Sequence, residues 1–141
     1  MFYFVYGSNM NHKQMKKRAP GAKFLGRAAI DNYKFVYDGW DAELGGAVGN
    51  IIPQKGSRVL GGLYEIGAED LAALDDYEDY PRDYTRAEFD VKDDQGDVCR
   101  ATVYLRPPQK TGQPSALYRA AIIQGVKDCK LPVEYIRYLD R

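Results

Sequence analysis

Histidine and cysteine are scarce in this chain: one histidine, His12, and two cysteines, Cys99 and Cys129. The cysteines have no CxxC spacing and no histidine cluster to join, so neither a zinc site nor a Cys-His or Ser-His nucleophile is expected. Both read as reduced, semi-buried small hydrophobes. Long apolar runs are missing too, as is a charged-then-apolar leader. No membrane span or secretory signal is therefore expected, and the cytoplasm is the default location. An excess of either charge is also lacking, since Lys plus Arg is 20 and Asp plus Glu is 20. A formal charge of zero creates no global field toward nucleic acid or anionic membrane, which leaves a small molecule as the expected partner.

Tyrosine is plentiful, with twelve among 141 residues. Tyrosines line wet pockets or finish a core at its rim. The length suits one domain, residues 1–141, with a single core.

Phe2 to Tyr6 is an apolar and aromatic run stopped by Gly7-Ser8-Asn9, which predicts a buried first strand entering a tight loop. Asn9 or Asn11 can cap a short, exposed, cationic helix from His12 to Arg18. Strand composition follows over Phe24–Ile30 and Tyr33–Tyr37 around a break at Asp31-Asn32, predicting a hairpin. A second hairpin is predicted from Ala47–Ile52 and Arg58–Ile66 around Pro53–Ser57. A helix is expected over Gly67–Tyr77. Strands Tyr84–Lys92 and Val98–Arg106 should pair across the turn 93–97. Ser115 caps an amphipathic helix with the stripe Tyr118, Ile122, Gly125 and Cys129, and a short last helix follows Pro132. Without regular βαβ alternation, the pattern argues for an α+β fold on a curled, mixed, mostly antiparallel sheet.

Two segments carry possible chemistry. A strand that ends in Gly7-Ser8-Asn9 and opens a helix presents consecutive backbone N–H groups, a cradle for an anion or oxyanion. By itself the segment is better read as turn chemistry plus a helix cap. The other is Glu78. Projected from Leu71 at 100 degrees per residue, Leu74 falls about 60 degrees away and Glu78 about 20. A carboxyl on an apolar stripe loses solvent and its pKa rises toward the range of a general base, with Asp75, Asp76 and Asp79 expected to push the same way. If the helix ends by Tyr77, ahead of Pro81, Glu78 falls instead in a solvated loop. Both readings stand at this stage. Tyr77, Tyr80, Tyr84, Tyr104 and Tyr118 add a diffuse pocket signal, mostly rim packing. The run Lys13, Lys16, Lys17 and Arg18 reads as the solvated face of its helix.

Several pieces together resemble the γ-glutamylcyclotransferase-like family, which includes AIG2-like proteins and γ-glutamylamine cyclotransferases. They are Tyr6-Gly7-Ser8-Asn9-Met10, Gly61 to Ile66, Leu74 to Pro81, Pro114 to Tyr118, Gly125, and Leu131 to Ile136 with Leu139, in that order along almost the whole chain. The resemblance implies that the sheet forms a small, partly open barrel with short flanking helices. It implies a transferase that cyclises a γ-glutamyl group to 5-oxoproline and releases an amino acid or amine, in the setting of glutathione-related metabolism. Tyr6, Gly7, Ser8 and Asn9 would hold the γ-glutamyl group, Glu78 would be the catalytic glutamate, and Tyr104 and Tyr118 match pocket tyrosines more loosely. Asp79 departs from the pattern, since glycine commonly follows the glutamate.

The implied chemistry needs no metal or cofactor, because the substrate's own amine attacks its γ-carbonyl while Glu78 moves the protons. A small-ligand binding or interaction module on the same fold is the alternative. Monomer and homodimer are both compatible with the sequence, and neither a nucleic acid nor a membrane is an expected partner.

Overall fold

A computed structural model describes residues 1–139. Five strands form the frame: β1 (Phe2–Val5), β2 (Lys23–Asp41), β3 (Gly46–Glu65), β4 (Thr85–Asp93) and β5 (Val98–Leu105). They close into a barrel in the order β1-β3-β2-β4-β5. Every pairing is antiparallel except β1 with β5, where Phe2 faces Ala101 and Tyr3 faces Thr102 in parallel. The mixed, mostly antiparallel sheet matches expectation, but the barrel is closed where a partly open one was expected. The closure comes from β1, which pairs with β3 on one side and with β5 on the other.

The two predicted hairpins are instead the two halves of one long ribbon, β2 paired with β3. Asn32 adopts φ 66° and Gly56 φ 85°. Register jumps from Asp31↔Arg58 to Tyr33↔Pro53, so Gln54–Ser57 bulge out of the ladder. The bulge is held by the Gly56 N–H donating to Asn32 Oδ1 at 3.1 Å and by Gln54 Nε2 donating to Ser57 Oγ at 2.7 Å. Polar turn residues at 31–32 and 53–57 thus bend paired strands rather than reversing them.

Each strand contributes a side chain to the core: Phe4, Ile30, Val59, Val91 and Val103 are almost wholly buried. Leu74, Met10, Met15, Ile122 and Val126 extend that core under the helices. The helices are α1 (His12–Arg18), α2 (Ala68–Tyr77), α3 (Ala116–Asp128) and α4 (Glu134–Leu139). Asn11 caps α1 by accepting the Gln14 N–H, and Ser115 caps α3 by accepting that of Tyr118. The α3 stripe packs on the loop after β1. A β-carbon on Gly125 would lie 2.6 Å from Met10 Cβ and 2.8 Å from the Asn11 nitrogen, so only glycine lets the helix clamp that loop.

Cys129 is buried, with its thiol donating to the Met10 carbonyl at 3.4 Å. His12 Nε2 lies 3.9 Å from its sulfur, a proximity the sequence did not reveal. Burial pushes the thiol up to about 12, so it stays protonated and fits the expectation of an inert hydrophobe. Among the described residues no helix is long and apolar enough to cross a membrane.

Candidate active site

β1 carries the chain to one mouth of the barrel, where Gly7 leads into a 3-10 turn over Ser8–Met10. In such a turn the first N–H groups have no acceptor inside it. The Met10 and Asn11 N–H groups close back on the Gly7 and Ser8 carbonyls at 3.0 Å. The turn borders a cavity of about 380 Å³. The seven residues that the family resemblance assigned to the site line it: Tyr6, Gly7, Ser8, Asn9, Glu78, Tyr104 and Tyr118.

Glu78 is the residue just past α2. Its backbone remains nearly helical, φ −80° and ψ −1°, and its N–H still bonds the Leu74 carbonyl at 2.9 Å. Both sequence readings were therefore half right. The helix ends at Tyr77, yet the side chain continues the face of Leu74 into the cavity. No hydrogen bond or ion pair reaches its carboxyl from the described residues. Burial raises its pKa, Arg18 draws it down, Asp83 pushes it up and Arg106 draws it down, for a net rise from 4.5 to about 7. The helical acids expected to do this do not. Asp75 pairs with Arg86 and accepts the Tyr104 hydroxyl at 2.6 Å, and these bonds outweigh burial to hold its carboxyl below the usual range. Asp79 pairs with Arg82 at 2.5 Å.

The tyrosines divide by what their hydroxyls do. Tyr6 donates to the Tyr104 carbonyl at 2.7 Å, and Tyr104 donates to Asp75, so both present their rings as walls. Tyr84, which lines the cavity beyond mere rim packing, donates to the Gly49 carbonyl at 2.7 Å. Tyr118 instead accepts the Gly49 N–H at 2.9 Å and keeps its own hydrogen for the cavity. Its oxygen lies 3.8 Å from where a β-carbon on Gly7 would stand, directly over the turn. Tyr80 is outside the lining, stacked 4.2 Å from Arg86.

Further lining residues escaped the sequence reading, among them Tyr3, Asp83 and Arg18. Tyr3 accepts from Asn9 Nδ2 at 2.7 Å and fixes that amide. Asp83 reaches the cavity from the loop after Glu78. Arg18 leaves the basic face of α1 and turns inward, donating to Ser8 Oγ at 3.2 Å and to Asn9 Oδ1. A strand alternation flags Tyr3 as inward or outward only once the sheet's faces are known, and nothing local distinguishes Arg18 from its lysine neighbours.

Beneath Tyr84 lies a buried ion pair, Arg106 Nη2 to Asp38 Oδ1 at 2.8 Å, with both side chains almost fully enclosed. Asn50 ties it together, donating to Asp38 Oδ2 and accepting the Arg106 N–H, each at 3.0 Å. The guanidinium lies 4.8 Å from the Tyr84 ring centre and supports the cavity wall.

A turn of free N–H groups, a tyrosine donor above it and a desolvated, unpaired glutamate describe a site for moving protons at a carbonyl. Residues 3–120 match the model of the family described as gamma-glutamyl cyclotransferase, AIG2-like. The chain belongs to this family. The γ-glutamylcyclotransferase-like chain is 26% identical to the gamma-glutamylcyclotransferase of Mus musculus over 138 residues, covering 94% of this chain and 73% of that protein. It is 33% identical to a gamma-glutamylaminecyclotransferase of Mus musculus over 119 residues, covering 72% and 74% of the two chains. A solved gamma-glutamyl cyclotransferase structure superposes with a TM-score of 0.93 at 26% identity, covering 99% of this chain and 86% of that one. An AIG2-like protein of Mus musculus superposes at 0.61 with 31% identity, over 74% and 76%.

Proposed function

We propose that this chain is a γ-glutamylcyclotransferase that cyclises a γ-glutamyl group to 5-oxoproline and releases an amino acid or amine. Glu78 carries the reading: its unpaired carboxyl, with a pKa of about 7, can both take and return a proton near neutral pH. Ionised Glu78 removes a proton from the substrate's α-ammonium. The freed amine attacks the γ-carbonyl carbon, and the C=O electron pair moves onto oxygen. That oxyanion is met by the N–H groups of the Gly7-Ser8-Asn9 turn and by the Tyr118 hydroxyl. Collapse breaks the bond to the leaving nitrogen, which receives the proton held by Glu78. Burial keeps the Tyr118 phenol protonated, as a donor must be.

Tyr6 and Tyr104 hold the γ-glutamyl chain folded between their rings, since cyclisation needs amine and carbonyl in near-attack contact. The relatives named as cyclotransferases support this reading over a binding module without turnover. A cytoplasmic setting, substrates of the kind found in glutathione-related metabolism, and action as a monomer or homodimer without nucleic-acid or membrane partners belong to the same proposal.

The test is 5-oxoproline release from a panel of γ-glutamyl amino acids and γ-glutamyl amines, with Glu78→Gln beside the unaltered protein. Release by the unaltered protein alone is expected, and the panel identifies the leaving group. Equal release by the variant would remove Glu78 from the mechanism.

A further inference from the structure

The cavity holds four acidic side chains, Asp41, Glu43, Glu78 and Asp83, and a single cationic one among the described residues, Arg18. A γ-glutamyl group brings another carboxylate, on its α-carbon. In a cavity so acidic that carboxylate is repelled unless a cation meets it.

Arg18 is built differently from the chain's ion-pairing arginines. Arg27, Arg58, Arg82, Arg86, Arg100 and Arg106 each face an aspartate. The partners of Arg18 are neutral: Ser8 Oγ and Asn9 Oδ1 accept from Nη1, and the Tyr77 ring lies 3.7 Å from its guanidinium carbon. These contacts fix the plane and one nitrogen of the guanidinium without cancelling its charge. An oriented, uncompensated fork is the form in which arginine binds carboxylates best.

Its place also suits the chemistry. Ser8 and Asn9 belong to the turn proposed to hold the γ-carbonyl. Arg18 is also close enough to Glu78 to be felt there as a charge. The α-carbon of a γ-glutamyl group bears both the carboxylate and the ammonium, so the carboxylate anchor and the base for the ammonium must be neighbours.

We propose that Arg18 anchors the α-carboxylate of the γ-glutamyl substrate, a role that rests on the cyclotransferase reading above. Arg18 thereby selects γ-glutamyl compounds over other γ-amino acyl compounds able to form a lactam.

The experiment compares a γ-glutamyl anilide with the 4-aminobutanoyl anilide, which lacks only the carboxylate and cyclises to 2-pyrrolidinone. Dissociation constants for 5-oxoproline and 2-pyrrolidinone are measured in parallel, so that slow turnover does not hide the comparison. Unaltered protein is expected to favour each carboxylated partner by about 10–100-fold, the range of a charge-assisted bond. Arg18→Gln should lose that preference, bringing the ratio of each carboxylated partner to its decarboxylated one close to one whatever the variant's absolute rates. Arg18→Lys, which keeps charge but not the fork, should retain part of it. If Arg18→Gln weakens both members of each pair equally, Arg18 merely braces Ser8 and Asn9 and the inference fails. Failure of the unaltered protein to discriminate would overturn it as well. No 5-oxoproline from any γ-glutamyl compound would instead remove the underlying reading of function.

Discussion

Tyr118 accepts a hydrogen bond from the Gly49 N–H at 2.9 Å, and that direction of donation leaves its phenolic hydrogen uncommitted. Tyr84 donates to the carbonyl of the same glycine, so its hydrogen is already committed. Two tyrosines that look alike in sequence are thereby divided into a donor and a wall. Tyr118→Phe should lower kcat by about 100-fold, the effect of losing one oxyanion donor, with a smaller change in KM. It also leaves the Gly49 N–H without its acceptor, so a loss of about 1–3 kcal/mol in urea unfolding should accompany it. An unchanged kcat would assign the oxyanion to the backbone turn alone.

Glu78 links activity to stability with opposite signs. Its folded pKa, about 7, exceeds its ordinary 4.5, so between those values the unfolded chain gives up a proton that the folded chain keeps. The contribution of Glu78 is fully present below about pH 4.5 and is lost as pH rises through about 7. Glu78→Gln should therefore be inactive yet more stable above pH 7, by about 2–3 kcal/mol. Chemical denaturation at pH 5 and pH 8 checks this, because the gain should shrink at the lower pH. In the active protein kcat/KM should rise with pH through about 7, as the carboxyl becomes ionised.

Asp79 stands where glycine is common, and its backbone supplies a reason: φ is 54°, in the left-handed region. Its carboxylate pairs with Arg82, but both side chains are largely exposed, so the pair contributes little. Asp79→Gly should be neutral to stabilising by up to about 1 kcal/mol, since relief of the backbone is offset by glycine's greater freedom when unfolded. Turnover should stay within about threefold, because Asp79 does not line the cavity. A large fall in activity would show that the Arg82 pair holds the loop bearing Asp83.

Asp38 and Arg106 are a buried pair that is costly to break from one side. Asp38→Asn leaves a guanidinium enclosed without a counter-charge and should lower stability by about 3–5 kcal/mol. Because Arg106 supports the Tyr84 ring, kcat/KM should fall even where the variant remains folded. Thermal melts and assays below the melting range separate the two effects. A loss below about 1 kcal/mol would mean that water or Asn50 takes over the pairing.

Much of the architecture could be read from consecutive residues. The Asn11 and Ser115 caps, the α3 stripe and the β4–β5 pair all lie where local pattern puts them, because capping and periodicity depend on neighbours in the chain. The Asp31-Asn32 and Pro53–Ser57 segments misled for the same reason. Turn-forming residues look identical in a reversal and in a bulge, and only the partner strand distinguishes them. The Gly7-Ser8-Asn9 turn and Glu78, which line one cavity, were picked out through ordered segments that resemble the family.

By itself, the sequence determined where the Gly7-Ser8-Asn9 turn and Glu78 would fall, because the strand, turn and helix that carry them form from short-range preferences. Their states were decided by tertiary structure. Burial raises the Glu78 pKa against the pull of Arg18 and Arg106, with Asp83 adding to the rise, and Tyr118 keeps its hydrogen through a glycine 69 residues away. Arg18 turns from solvent because Ser8, Asn9 and the Tyr77 ring are brought beside it. Electric fields and hydrogen-bond directions depend on distances through space, and those distances exist only once the barrel has closed.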